Sequence, residues 1–170
     1  VIDDNDKYAV GHGLAPRLTY GFSLGAEWNG FDFSCLFQGN AGLQVYWQDK
    51  FYMGYINYGD VINKEIAEGA WREGRTNATY PRLLTGLNTL NAQPSDFWVQ
   101  NKSYLRLKNV QIGYKIPKKL LQKLDISQLR LYTSLENMLT FTSYKGIDPE
   151  ISGTTYPTMK QITVGVNVVF

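Results

Sequence analysis

The residues of this chain that could do chemistry are few, and the clearest pair is Asp148 and Glu150, which flank Pro149. A glycosidase needs two carboxylates placed across a sugar in a cleft. Here both carboxylates lie in one short loop, and the pattern positions no partner residue for them. The sequence therefore predicts that the protein has no catalytic residues and is not an enzyme.

Metal and cofactor chemistry is equally sparse. Asp3, Asp4 and Asp6 could offer oxygen ligands to Ca²⁺, but the spacing and the glycine of an EF-hand are missing, so a solvated loop is favoured. The single cysteine, Cys35, excludes an internal disulfide framework and a cysteine-based zinc cluster, and the single histidine, His12, argues against a histidine-dependent triad. We therefore expect neither a metal nor a cofactor.

The charge and the hydropathy pattern exclude further classes. A net charge of +2, from 17 basic and 15 acidic residues, is too balanced to indicate a nucleic-acid partner. No apolar run approaches the roughly 20 residues that a membrane helix needs. A transmembrane strand needs only about 9–11 residues of alternating pattern, so a membrane β-barrel is not excluded.

Aromatic side chains concentrate in residues 40–103, where no two-residue period is sustained. Aromatic faces stack on sugar rings and also dominate protein–protein contacts, so we predict a long outer loop that contacts a ligand or a partner. The alternative is that these rings only pack the loop onto itself. Within this stretch Asp60 could cap a short helix that ends near Gly69. The candidate contact residues are Tyr46, Trp47, Phe51, Tyr52, Tyr55, Tyr58 and Trp71.

The elements that must position these loops are strands with a two-residue period. The predicted strands are residues 17–28, 31–39, 103–116, 128–137 and 158–170. The first two are joined by Asn29-Gly30, which favours a two-residue hairpin turn because both positions need φ > 0. The phase slips near Lys108-Asn109, which indicates a β-bulge. Residues 138–157 are predicted to be a second long loop.

The length and the faces of these strands distinguish two all-β architectures. Strands in a soluble sandwich are usually about 5 or 6 residues long, whereas these are long enough to cross a bilayer. Aromatic residues lie near strand ends, with Trp28 and Phe31 beside the Asn-Gly turn and Tyr114 and Phe170 on the same side. Aromatic girdles are typical of membrane barrels. The pattern favours a transmembrane antiparallel β-barrel, with a soluble sandwich as the alternative.

Several stretches in the right order resemble one family. SYLRLKNVQIGYKIPKKLL, LRLYTSLENMLTFTSYKGIDPEI and YPTMKQITVGVNVVF are similar to the C-terminal end of the SusC/RagA family, the TonB-dependent outer-membrane receptors of Bacteroidetes. LTYGFSLGAEWNGFDFSCLFQG and AWREGRTNATYPRL resemble the preceding hairpin and a long outer loop of that family. The resemblance covers essentially the whole chain.

The resemblance implies a 22-stranded barrel, of which this chain would supply the last five strands. By the same resemblance, we expect the plug domain and the TonB box to lie outside this stretch of sequence. It implies import of oligosaccharides or peptides through the outer membrane, energised by TonB, under a SusD-like surface lipoprotein. That lid is then a likelier contact for the aromatic loop than the substrate itself.

The end of the chain gives one further expectation from the same resemblance. A terminal aromatic residue with apolar residues at alternate positions looks like the signal read by the barrel-assembly machinery. The residues are Phe170, Val168, Val166 and Val164. Two readings from other classes stay open, namely a soluble extracellular β-sandwich that binds glycans and a passive porin.

Overall fold

The computed structural model describes residues 4–9, 11, 13, 15–46, 55–56, 62–85, 94–122, 125–151 and 156–170. The chain divides into two compact units. The first unit comprises Val1–Gly11 and Gln44–Gln100, and the second comprises His12–Leu43 and Asn101–Phe170. Among the described residues, no helix has the length and apolar character needed to cross a membrane.

Short helices and both long and short strands make up the described part of the chain. The strands are β1 (Leu18–Trp28), β2 (Phe31–Ala41), β3 (Gln44–Tyr46), β4 (Tyr55–Ile56), β5 (Leu84–Thr85), β6 (Val99–Asn101), β7 (Tyr104–Lys115), β8 (Gln128–Thr142) and β9 (Gln161–Val169). The helices are α1 (Lys64–Gly69) and α2 (Lys118–Leu121).

The second unit is built on one antiparallel sheet with the order β1-β2-β7-β8-β9, so each strand pairs with the next long strand along the chain. The turn between β1 and β2 has φ of 48° at Asn29 and 87° at Gly30, which confirms the predicted hairpin. The connections between the long strands are alternately short and long, as the sequence pattern predicts.

The register gives this sheet one apolar face and one polar face. Phe22 pairs with Phe37, their rings stacked at 4.8 Å, and Leu131 pairs with Val166. These apolar side chains are not covered by a second layer within the described residues. The exposed fractions are 57% for Leu18, 47% for Phe22, 45% for Leu131 and 58% for Val166. A soluble sandwich, which would bury this face, is therefore not favoured.

The phase slip at Lys108 is confirmed as a β-bulge. Leu36 pairs with Asn109 and the next residue of β2 pairs with Leu107, so Lys108 is the extra residue of β7. Between the same two β7 residues, β8 passes through Asn137 and Met138, which gives a second irregularity beside the first. Bulges of this kind keep the same face apolar on both sides of the slip.

The predicted end of β8 at residue 137 is wrong, because the strand continues to Thr142. Asn137 has φ of 53°, a left-handed conformation that asparagine tolerates, and it breaks the alternation without ending the pairing. The period resumes beyond it with Leu139 and Phe141 on the apolar face. The second long loop therefore begins at residue 143 rather than 138.

The other long strands differ from their predicted bounds by small amounts. Strand β2 ends at Ala41, two residues beyond the predicted end, and β9 begins at Gln161 rather than residue 158. Strands β1 and β7 agree with their predicted bounds to within one residue at each end.

The first unit contains the helix that the sequence predicts near Gly69. Helix α1 begins at Lys64, and its N-cap is Asn63, whose side chain accepts a hydrogen bond from the Glu65 amide at 2.9 Å. The predicted cap, Asp60, lies outside the described residues. Ile66 on this helix is fully buried. The short strands of this region pair as β3 with β6 and as β4 with β5.

Candidate functional site

The most tightly bonded group of charges lies on the polar face of the sheet, around Arg106. Strand alternation directs this side chain to that face, where Nε donates to Thr140 Oγ1 at 2.8 Å. Nη2 donates to Asp148 Oδ1 at 2.8 Å, and Nη1 donates to the carboxylate of Glu150. The side chains of Arg106 and Asp148 are only 4% and 5% exposed. One guanidinium thus ties two strands to the loop that follows them.

Glu150 receives two further donors from β7. Tyr104 Oη donates to its Oε1 at 2.9 Å, and Lys108 Nζ lies 2.7 Å from the same oxygen. Lys108 reaches this carboxylate because the bulge puts it on the polar face together with its neighbour Asn109. The bulge therefore supplies a cation to the site. We call Arg106, Lys108, Asp148 and Glu150 the Arg106 cluster.

Asp148 organises the loop from within. Its Oδ1 accepts from the Glu150 amide at 2.8 Å, and its Oδ2 accepts from the Thr158 amide at 3.1 Å. Burial by itself raises the pKa of Asp148, but the hydrogen bonds from Glu150, Arg106 and Thr158 together hold that pKa below its ordinary value. The carboxylate is therefore ionised near neutral pH. Its oxygens are engaged by backbone amides and arginine, an arrangement suited to positioning rather than to acid–base catalysis.

Lys102 fixes the loop at another point. It is buried, and its ammonium group donates to the carbonyl of Ile151 and lies 5.5 Å from the ring centre of Tyr144. Burial lowers the pKa of Lys102, and the nearby charge of Asp148 partly opposes that shift. The loop is thus held on both sides of the Arg106 cluster.

A second ion pair lies near the opposite end of the polar face. Arg130 on β8 reaches across β7 to Asp32 on β2, with Nε 2.9 Å from Oδ2 and Nη2 bonded to Oδ1. Gly113 lies between them on β7, where a Cβ atom would collide with both groups. Nη2 also donates to Gln111 at 3.3 Å. This pair joins strands that are not neighbours in the sheet.

Comparisons with known proteins identify relatives of this chain. No protein-family model matches it. The chain is 31% identical over 185 residues to TonB-dependent receptor P3 of Formosa agariphila. The aligned region covers 99% of this chain and 18% of that receptor. It is 26% identical to TonB-dependent receptor SusC of Bacteroides thetaiotaomicron, over 99% of this chain and 16% of that receptor.

Solved structures agree with these relatives. The structure of the RagAB peptide transporter matches 99% of this chain and 19% of that chain, with 28% identity and a TM-score of 0.78. The chain belongs to the SusC/RagA family of TonB-dependent receptors. It spans less than a fifth of the length of the curated relatives it matches.

The aromatic residues predicted to contact a ligand are only partly described in this SusC/RagA-family chain. Tyr46 in β3 is half-buried, and burial raises its pKa. Trp71 is exposed, with the guanidinium of Arg82 5.8 Å from its ring centre. Of Tyr55 only the backbone is described, and the remaining four candidates lie outside the described residues. Those four are Trp47, Phe51, Tyr52 and Tyr58.

The remaining predicted sites are the barrel-assembly residues of the last strand and the acidic residues near the start of the chain. Val164, Val166 and Val168 lie on the apolar face of β9, and Phe170 follows that strand with 86% of its surface exposed. Their role in barrel assembly stays a prediction. Asp6 ends a short 3₁₀ turn. Asp3 lies outside the described residues, and so does the side chain of Asp4.

The Arg106 cluster is what the sequence reasoning missed. Asp148 and Glu150 were singled out as a carboxylate pair without a partner, whereas their partners are Arg106 and Lys108. Two signals were available in the sequence. Both cations fall on the polar face of a strand otherwise rich in apolar residues, and the bulge marks the same place.

Proposed function

We propose that this chain forms part of the barrel wall of a TonB-dependent outer-membrane transporter. The observation that carries the proposal is the apolar face of the five-stranded sheet, which the described residues leave uncovered. Soluble monomers rarely expose a contiguous apolar patch of this kind. Acyl chains of the outer membrane would cover it, whereas the polar face would line the interior of the barrel.

The aromatic residues at one end of the sheet support the same orientation. Trp28 pairs with Phe31, and Phe31 pairs with Tyr114, their rings 4.5 Å apart. Trp28, Phe31 and Tyr114 thus form a row across three adjacent strands at the turn end of the apolar face. Amphipathic aromatic rings favour the level of the lipid headgroups. This row would mark one membrane surface, on the periplasmic side if the strand ends are arranged as in the family.

The relatives also support a proposal for the substrate and partners of the whole receptor. We propose that the complete protein imports peptides or oligosaccharides together with a SusD-like surface lipoprotein, with energy supplied through TonB. The support is that RagAB is described as a peptide importer and that SusC is a TonB-dependent receptor. Trp71, whose side chain is exposed, is then available for contact with the lipoprotein.

The barrel-wall proposal is tested with neighbouring residues on opposite faces of β8. In a full-length receptor from which Cys35 and any other cysteines have been removed, Leu131→Cys and Tyr132→Cys are each labelled with a fluorophore in vesicles that contain brominated lipids. We expect strong quenching at position 131 and weak quenching at position 132. Equal quenching at the two positions would refute the assignment of faces, and uptake that persists without TonB would favour a porin.

A further inference from the structure

The loop that follows β8 is attached to the sheet by buried charges rather than by its two ends alone. We propose that residues 143–151, called here the strap, keep one fixed position on the polar face at every stage of transport, with Arg106 as the positioning residue. The movement that admits a substrate then occurs elsewhere in the receptor. This inference rests on the proposed function and assigns a static role to one segment of that transporter.

The attachments of the strap come from several elements of the second unit. Arg106 bonds both Asp148 and Glu150, and Lys108 adds a second cation to Glu150. Lys102, which precedes β7, holds the carbonyl of Ile151. On the far side of the strap, the Thr158 amide donates to Asp148 Oδ2 at 3.1 Å. Moving the strap would require these bonds to break together.

The burial of the central pair makes such movement costly. Separating a buried guanidinium from its carboxylates leaves charges of both signs without partners in a poorly polar environment. Segments that open during function instead have few buried contacts and many solvent-exposed bonds. By this criterion the strap belongs to the rigid part of the molecule.

The structural neighbours supply an independent observation. The chain matches the RagAB importer in a state described as open-open with a TM-score of 0.76, over 100% of this chain. It matches the same importer in a state described as closed-closed with a TM-score of 0.72, over 99% of this chain. The fold of the chain as a whole is thus similar to that of the importer in both states, as expected if the large movements lie outside it.

The test replaces the ion pair by a covalent link in the full-length receptor. Cys35 and any other cysteines are first changed to alanine, and Arg106→Cys and Asp148→Cys are introduced together. A flexible bifunctional thiol reagent, long enough to replace the arginine–carboxylate pair, then bridges the two positions. Uptake is measured with a labelled tryptic digest and with a labelled mixture of neutral oligosaccharides.

We expect the bridged receptor to import as well as the cysteine-free parent. The unbridged double variant should import about tenfold less, the loss expected if only about a tenth of the receptors keep the strap in its functional position. Loss of uptake on bridging, or full uptake without the bridge, would overturn the proposal. The receptor is recovered from the outer membrane in each case, which separates a transport defect from a failure to assemble.

A second measurement does not depend on transport. A spin label at Ile147→Cys, an exposed position of the strap, should report an immobile backbone in purified receptor with and without the tryptic digest. Arg106→Leu should make the label mobile, whereas Lys64→Leu, which removes an exposed cation, should not. A mobile label in the parent receptor would refute the proposal that the strap is fixed, even if uptake is normal. Absence of uptake in the parent would refute only the proposed transport function.

Discussion

Arg106 and Arg130 lie on the same face of the same sheet and make similar bonds, but they join different things. Arg106 binds two carboxylates of a loop, and Arg106 and Asp148 are almost completely buried, whereas Glu150 is 17% exposed. Arg130 binds Asp32 of the sheet itself, and both of those side chains are 17% exposed. The first arginine positions a connection, whereas the second couples strands two apart. The structural effect of an arginine–carboxylate pair therefore depends on how deeply the pair is buried and on which elements carry the partner residues.

The largest effect is expected from Arg106→Leu, which leaves the buried Asp148 without its ion-pair partner and Glu150 with Lys108 alone. Breaking a buried ion pair from one side commonly costs about 3–5 kcal/mol. The free energy of unfolding of the full-length receptor, measured by urea titration in detergent, should fall by an amount in this range. A loss below about 1 kcal/mol would mean that the cluster contributes no more than a surface pair does.

A smaller effect is expected from Gly113→Ala, which tests how Arg130 reaches Asp32. The added Cβ atom would collide with both charged groups, and overpacking of this kind typically costs about 1–3 kcal/mol. Gly25→Ala is the matched control, because Gly25 lies in β1 of the same sheet and its Cβ atom would make only an ordinary contact of 3.6 Å. Equal unfolding free energies for the two variants would show that the space above Gly113 is not required.

Asp32→Asn should have a smaller effect again. The amide oxygen still accepts one bond from Arg130, but the amide nitrogen cannot accept the other. One hydrogen bond and the charge attraction are therefore lost, about 1 kcal/mol on the scale of a net hydrogen bond. The same urea titration measures it. A cost equal to that of Arg106→Leu would contradict the proposed difference between the two arginines.

The smallest predicted effect is that of lowering the pH, which should leave the stability unchanged near neutral pH. The pKa of Asp148 is lowered in the folded protein, so its contribution to stability is complete above the unfolded pKa of 3.8 and is lost as the pH falls through the lower folded pKa. The contribution of Asp148 to the urea unfolding midpoint should be constant from about pH 7 to pH 5 and should decrease below about pH 4. Asp148→Asn should make that fall shallower. An unchanged slope would assign acid sensitivity to other carboxylates.

Much of the sheet could be predicted because residues that are close together in the sequence determine its strands and its hairpin turn. Alternation through Leu18, Phe22 and Val166 identifies the apolar face, and Asn29-Gly30 specifies its own turn by the φ values it requires. The left-handed conformation of Asn137 could not be predicted, because asparagine only permits it and the pairing with β7 selects it. The sequence pattern therefore predicts an end of β8 at residue 137, five residues before the strand ends in the structure.

The site was harder to predict because its partners are far apart in the sequence. Arg106 and Asp148 are separated by 42 positions, and nothing in the loop itself indicates which strand it contacts. A pattern shows that Asp148 and Glu150 are acidic and close together, but charge pairing depends on tertiary structure. Of the seven aromatic residues predicted to contact a ligand, the structure describes the side chains of only two, Tyr46 and Trp71, so that prediction stays a prediction.

The bulge at Lys108 determines which changes in length the chain can tolerate. Deleting Lys108 would either interrupt the pairing of β7 or rotate part of the strand, which would move Leu105 to the polar face and Arg106 to the apolar face. A surface loop can usually gain or lose a residue at far smaller cost, since its ends need only stay within reach. In descendants of this sequence, insertions and deletions should accumulate in the connections while the residue count of β7 stays constant.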